Sequence, residues 1–138
     1  MKELRWQQRF ENFERAFILL RSALEQKSLG EFSDLEKEGI VQRFEYTYEL
    51  AWKTLKDYLE YTGVVLEQIT PRQVIKEAFA ANVIHDGKVW IEMLEHRNLM
   101  SHTYNQKTFE KAIEAIARKY LAVLDQVYIF LKEKSLEK

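Results

Sequence analysis

Between residues 95 and 105 the chain reads Glu95-His96-Arg97-Asn98-Leu99-Met100-Ser101-His102-Thr103-Tyr104-Asn105, a polar stretch that gathers an arginine, two amides, a serine, two histidines and a tyrosine between two apolar helices. Arg97 carries a permanent guanidinium whose fork matches a phosphate, and His102 carries the one side-chain type that exchanges a proton near neutral pH. Together they could cleave RNA without a metal. The imidazole would take the proton of a ribose 2′-hydroxyl, or give one to the leaving 5′-oxygen, while the arginine stabilises charge building on the phosphoryl oxygens. Asn98 and Ser101 are the supporting hydrogen-bonding groups. A plainer reading stands beside this one: Arg-Asn at a helix end and Ser-His-Thr before the next helix could serve only as caps and interhelical hydrogen bonds.

Spacing constrains the chemistry. Five helical steps of about 100° would set Arg97 and His102 far apart around an ideal helix. Either the helix breaks first or two subunits cooperate. Ser101, His102, Thr103 and Asn105 favour caps and turns over helix interiors, so a break just before His102 is expected, and a symmetric dimer would bring a second copy of each group to the same cleft. Other chemistries lack their signatures. His85, His96 and His102 do not form a metal-binding pair on adjacent turns, no glycine-rich phosphate loop occurs, and the chain has no cysteine; hence no metal and no cofactor are expected. His85 and His96 read as ordinary surface or capping histidines. Glu49 would be of interest if it pointed inward.

Helices must position this segment. Phe10, Phe13, Phe17, Leu20 and Leu24 recur at steps of three and four, predicting a helix from about residue 4 to about 28, stopped by Gly30. Ser33-Asp34-Leu35-Glu36 is a capping-box pattern, opening a central helix that runs to about Tyr61 with Ile40, Val41, Phe44, Tyr48, Ala51, Trp52, Leu55 and Leu59 on its apolar stripe. Its aromatic residues, with Tyr58, read as core. Thr70-Pro71-Arg72-Gln73 opens a shorter helix to about Ala81, burying Val74, Ile75, Ala78 and Phe79. Asp86-Gly87 starts a fourth, with Val89, Trp90, Met93 and Leu94 inward. After Asn105, a stripe from Phe109 to Leu131 predicts a last long helix ending near Lys132. The expected fold is all-α, an up-and-down four-helix bundle with one additional short helix, forming one domain over residues 1–138.

Composition agrees. A hydrophobic fraction of 46% is enough for a core, and the absence of cysteine suits a reducing, cytoplasmic setting. No apolar run approaches the ~20 residues needed to cross a bilayer, and Met1-Lys2-Glu3-Leu4-Arg5 lacks the apolar core of a signal peptide, so no membrane association is expected. With 21 Lys and Arg against 22 Asp and Glu, the net charge of −1 excludes a broadly basic nucleic-acid binder. Any RNA contact must be local. Lys107 and Lys111 could join Arg97 in a cleft built by two chains.

The segment Arg97-Asn98-x-x-Ser101-His102-x-Tyr104 resembles the Arg-x4-His-x-Tyr signature of HEPN-domain proteins encoded beside a minimal nucleotidyltransferase. Phe44 to Lys53, Pro71 to Phe79 and Trp90 are similar to further motifs of the same family, long described as nucleotidyltransferase substrate-binding proteins. The resemblance covers nearly the whole chain. It implies a homodimer that partners a small nucleotidyltransferase in a toxin-antitoxin pair, with Arg97 and His102 as the ribonuclease residues and Tyr104 as the hydroxyl that the partner silences with AMP. It also implies an alternative: a noncatalytic subunit binding a small substrate beside the nucleotidyltransferase active site.

Overall fold

The structure is a computed structural model that describes residues 4–100 and 106–137. All of its regular elements are helical: α1 (Arg5–Glu25), α2 (Asp34–Tyr61), α3 (Pro71–Ala80), α4 (Gly87–Met100), α5 (Gln106–Ala115) and α6 (Leu121–Leu136). Between α5 and α6 the chain stays helical through a single π turn, Ile116–Tyr120, so the two make one long rod. The result is the expected helical bundle: α1, α2, α4 and the α5–α6 rod, with α3 as the additional short helix.

Local chemistry sets the ends. The Ser33 hydroxyl accepts from the Glu36 amide at 3.1 Å, and the Glu36 carboxylate accepts from the Ser33 amide at 2.8 Å, completing the capping box of α2. The Ser33 amide, with Lys27 beside the carboxylate, holds the Glu36 pKa down at about 2. At the other end of α2, Gly63 adopts φ +99°, and the amides of Gly63 and Val64 return to the carbonyls of Glu60 and Leu59. That is a Schellman closure with glycine where a left-handed residue is required. Asn82, at φ 61°, closes α3 by the same bonds to Phe79 and Ala78. Thr70 caps α3 by accepting from the Gln73 amide, but the Gln73 side chain bonds Glu77 instead of returning to the cap, so the reciprocal bond of a capping box does not form.

Two boundaries differ from expectation. Helix α1 ends at Glu25, short of Gly30, which lies inside a separate 3-10 turn, Leu29–Glu31. The last helix runs to Leu136, past Lys132. In and just after the π turn Ile116, Tyr120 and Leu124, all buried, are spaced by successive steps of four. Each such step drifts an ideal stripe by about 40°. One widened turn absorbs the drift and keeps all three facing the core.

Helix α2 is the central element, packing against α1, α3, α5 and α6. Its whole predicted stripe is buried. Phe13, Phe17 and Leu20 of α1 meet it, and Tyr120 stacks on Phe44 with ring centroids 5.5 Å apart. Phe79 is the exception among the expected core residues. It is 53% exposed, because the buried face of α3 is spent on Val74, Ile75 and Ala78.

One carboxylate is buried away from the candidate site. The side chain of Asp57 is 1% exposed, with Oδ2 2.7 Å from Arg9 Nε and Oδ1 3.3 Å from Lys56 Nζ. Its Oδ2 has no aligned N–H partner, so Arg9 serves it as a charge rather than as a hydrogen-bond donor. Breaking a fully buried pair costs about 3–5 kcal/mol, and the one-third exposure of Arg9 lowers the expectation for Asp57→Ala to about 2 kcal/mol. Urea denaturation followed by circular dichroism measures this; a loss below about 0.5 kcal/mol would show that the pair is solvated.

Candidate active site

Arg97 lies in the last turn of α4, where a cation is favoured by the helix dipole. Its side chain crosses to α2, where Nη2 stands 2.7 Å from Glu49 Oε2, both side chains being about one-third exposed (30% and 29%). No N–H lies along that line, so the contact is a charge pair rather than an aligned hydrogen bond. Lys53, one turn further along α2, approaches the other carboxylate oxygen at 3.6 Å. Glu45, one turn before, completes an acidic edge. Burial pushes its carboxyl pKa up, against the opposing pull of Arg97.

Beneath this cluster, Tyr48 donates its hydroxyl to the Trp90 carbonyl at 3.1 Å, tying α2 to α4 two turns before Arg97. Burial raises the Tyr48 pKa well above that of an ordinary phenol, so it remains a neutral strut. The guanidinium is thus carried by a helix fixed at Trp90 and held laterally by Glu49. It has five donors in all, leaving capacity for a phosphate.

The other side of α4 carries a second polar network that sequence reasoning missed. Lys119 binds both carboxylate oxygens of Glu92 at 2.9 Å, and the Tyr120 hydroxyl donates to Glu92 Oε2 at 3.1 Å. Tyr120 has one proton, and it is directed at an acceptor-only group. The 2.8 Å contact with His96 must therefore be His96 Nδ1–H donating to the phenol oxygen. So His96, read from sequence as a surface or capping residue, is half-buried and oriented by Tyr120. The signal was the Glu92/His96 spacing of four on α4. Its partners come from the π turn, which periodicity alone does not place. His96, Leu99, Thr108, Lys111 and Ala112 line a small cleft of about 210 Å³ between α4 and α5.

A larger groove, about 580 Å³, lies between α3 and the start of α4. Of the residues expected to carry the chemistry, Arg97 is positioned as described and Asn98 is exposed on α4. Ser101, His102 and Tyr104 lie outside the described residues, as does the expected helix break before His102. Among the described residues, no group of three or more histidine, aspartate or glutamate side chains could hold a metal ion. No helix among them is long and apolar enough to cross a membrane.

A helical bundle whose polar seam gathers at the end of α4 defines the class. Over residues 8–133 the chain matches the family model described as nucleotidyltransferase substrate binding protein like, and it belongs to that family. A protein of Haemophilus influenzae (strain ATCC 51907 / DSM 11121 / KW20 / Rd) named probable ribonuclease HepT is 33% identical over 100 residues, covering 70% of this chain and 61% of that protein. The match thus spans under two thirds of the relative's length. A crystal structure of a Thermus thermophilus protein superposes with a TM-score of 0.70 at 32% identity, over 83% of this chain and 94% of that one. HI0074 from Haemophilus influenzae, reported to reveal the fold of a substrate binding domain of a nucleotidyltransferase, gives a TM-score of 0.78 at 24% identity. That comparison covers 89% of this chain and 98% of that one, and speaks to the fold.

Proposed function

We propose that this chain is the toxin component of a HEPN/minimal-nucleotidyltransferase pair: a metal-independent endoribonuclease that the partner silences by transferring AMP to Tyr104. The observation that carries the proposal is the placement of Arg97. A solvated surface arginine would have no fixed direction, whereas this one is held against Glu49 at the helix end immediately before Ser101-His102. The relative named probable ribonuclease HepT supports the same reading.

In the proposed reaction the 2′-oxygen attacks phosphorus and the P–O5′ bond breaks, leaving a 2′,3′-cyclic phosphate and a free 5′-hydroxyl. One imidazole accepts the 2′-hydroxyl proton and a second, protonated imidazole supplies one to O5′. A homodimer provides both as two copies of His102, with Arg97 against the phosphoryl oxygens. Silencing uses ATP bound by the partner: the Tyr104 oxygen attacks the α-phosphorus and pyrophosphate leaves. The added anion, two residues beyond His102, competes for Arg97.

The test is expression without a nucleotidyltransferase. Wild type is expected to arrest growth with RNA breakdown, and His102→Ala, at equal soluble yield, to permit growth. If both grow alike, the second reading takes over: a noncatalytic substrate-binding subunit of a two-component nucleotidyltransferase, favoured by the groove between α3 and α4 and by the family description. Modification has its own readout. Incubation with the partner and ATP should add one AMP to wild type and none to Tyr104→Phe, as seen by intact mass; an equal gain in the variant would place the acceptor elsewhere.

A further inference from the structure

The groove between α3 and α4 contains features that the cleavage chemistry does not use. Its floor is apolar, formed by Ile75 and Ile91, and Phe79 forms one wall while remaining half exposed. The ring is 53% exposed although α3 has a buried apolar face. It is accommodated by Gly87, the first residue of α4, where a Cβ would come within 3.2 Å of the Phe79 ring. Around this floor stand Arg72 and Lys76 from α3 and Lys88 from α4, with Asp86 as the one carboxylate and His85 beside it. None of the three cations forms a salt bridge with another described residue. Most cations elsewhere on the described surface are paired, as Lys27 is with Glu36, Lys119 with Glu92 and Lys132 with Glu14. Three cations against one carboxylate over an apolar, aromatic floor are therefore a local departure in a chain of net charge −1.

We propose that this groove binds a nucleotide, its base against Phe79 and the apolar floor and its phosphate among Arg72, Lys76 and Lys88. The chemistry matches in both halves. Every base has a face that stacks on an aromatic ring without demanding a sequence, and a guanidinium with two ammonium groups suits a phosphate. A volume of about 580 Å³ falls within the range of small-molecule sites. Arg72 of the groove also acts electrostatically on Tyr48, as Arg97 and Glu49 do. Where the ribonuclease reading holds, the occupant is a nucleotide of the RNA strand flanking the cleaved bond; a free nucleotide is the other source of the same chemistry. An acidic, apolar peptide is disfavoured because a planar aromatic wall adds little for an aliphatic side chain.

The experiment uses the full chain carrying His102→Ala, with two fluorescent probes: 1,N6-etheno-AMP and a labelled 2′-O-methyl RNA hexamer that cannot be cleaved. Anisotropy is expected to rise saturably with at least one probe. Binding of the hexamer alone, or far more tightly, identifies a strand; equal binding of both identifies the free nucleotide. Phe79→Ser should weaken binding by about tenfold, Phe79→Tyr should restore it, and the double change Lys76→Gln/Lys88→Gln should weaken it by about tenfold and flatten its salt dependence. These positions are exposed, so unchanged thermal melts will show that the variants remain folded. No binding of either probe at millimolar protein, or equal binding by every variant, overturns the assignment. The outcome is separable from the ribonuclease reading: probe binding without growth arrest by wild type keeps the groove and removes the nuclease, and arrest without binding does the reverse.

Discussion

Arg97→Ala is expected to lower RNA cleavage by about 10²–10³ while changing folding stability by less than about 1 kcal/mol. The two figures differ because they depend on different states. In the resting protein Arg97 faces the carboxylate of Glu49, about one-third exposed, and a pair screened to that extent contributes little to stability. In the transition state the same guanidinium would face developing charge on phosphoryl oxygens, with no competing water where the substrate covers it. Arg97→Lys keeps the charge but not the fork, and should recover less than about a tenth of the lost rate. Glu49→Ala should retain more activity than Arg97→Ala, since it frees the guanidinium without removing it. Single-turnover cleavage of a labelled RNA, beside urea melts of each variant, measures both quantities. Cleavage by Arg97→Ala at the wild-type rate would remove Arg97 from the reaction.

Trp90→Ala should be the most damaging single core change, costing about 3–5 kcal/mol out of the roughly 5–15 kcal/mol that holds a domain of this size together. Trp90 is 1% exposed and packs its ring on Tyr48 at a centroid distance of 5.8 Å. Truncation leaves a cavity between α2 and α4 that helices anchored elsewhere cannot close. Tyr48 donates to the backbone carbonyl at position 90, so that bond survives the substitution in principle. It would nevertheless lose its packing partner. Because Arg97 sits two turns further along α4, activity should fall with stability, whereas Trp90→Phe should keep most of both. Urea denaturation by circular dichroism is the measurement, and a loss under about 1 kcal/mol would mean that α4 is not clamped at this point.

Much of the bundle was legible in the sequence because its causes are local. The Ser33 box, the proline at the start of α3 and the left-handed Gly63 depend on residues within a turn of one another, and the stripe of α2 is read directly from spacing. Phe79 was misread for a reason of the opposite kind. It belongs to the periodic apolar set of α3, yet which edge of that set is covered depends on where α4 begins, and Gly87 sets that distance. The π turn was not legible: Ile116, Tyr120 and Leu124 are buried at successive steps of four, but Ile40, Phe44, Tyr48 and Trp52 have the same spacing in the unbroken helix α2.

The candidate site divides along the same line. The residue types between Arg97 and Tyr104, their spacing and the lack of any metal or phosphate-loop motif were properties of the sequence alone, since chemistry follows from the functional groups that a chain carries. Tertiary structure decided which groups meet. Only packing of α4 on α2 brings Arg97 to Glu49, 48 positions earlier in the chain. Only the π turn brings Tyr120 to His96 and so orients a ring that looked like surface. The α3–α4 groove likewise exists only between elements. Side-chain pairs across helices depend on rotation and axial offset of whole elements, and these are set by how the buried stripes interlock, which no local pattern encodes.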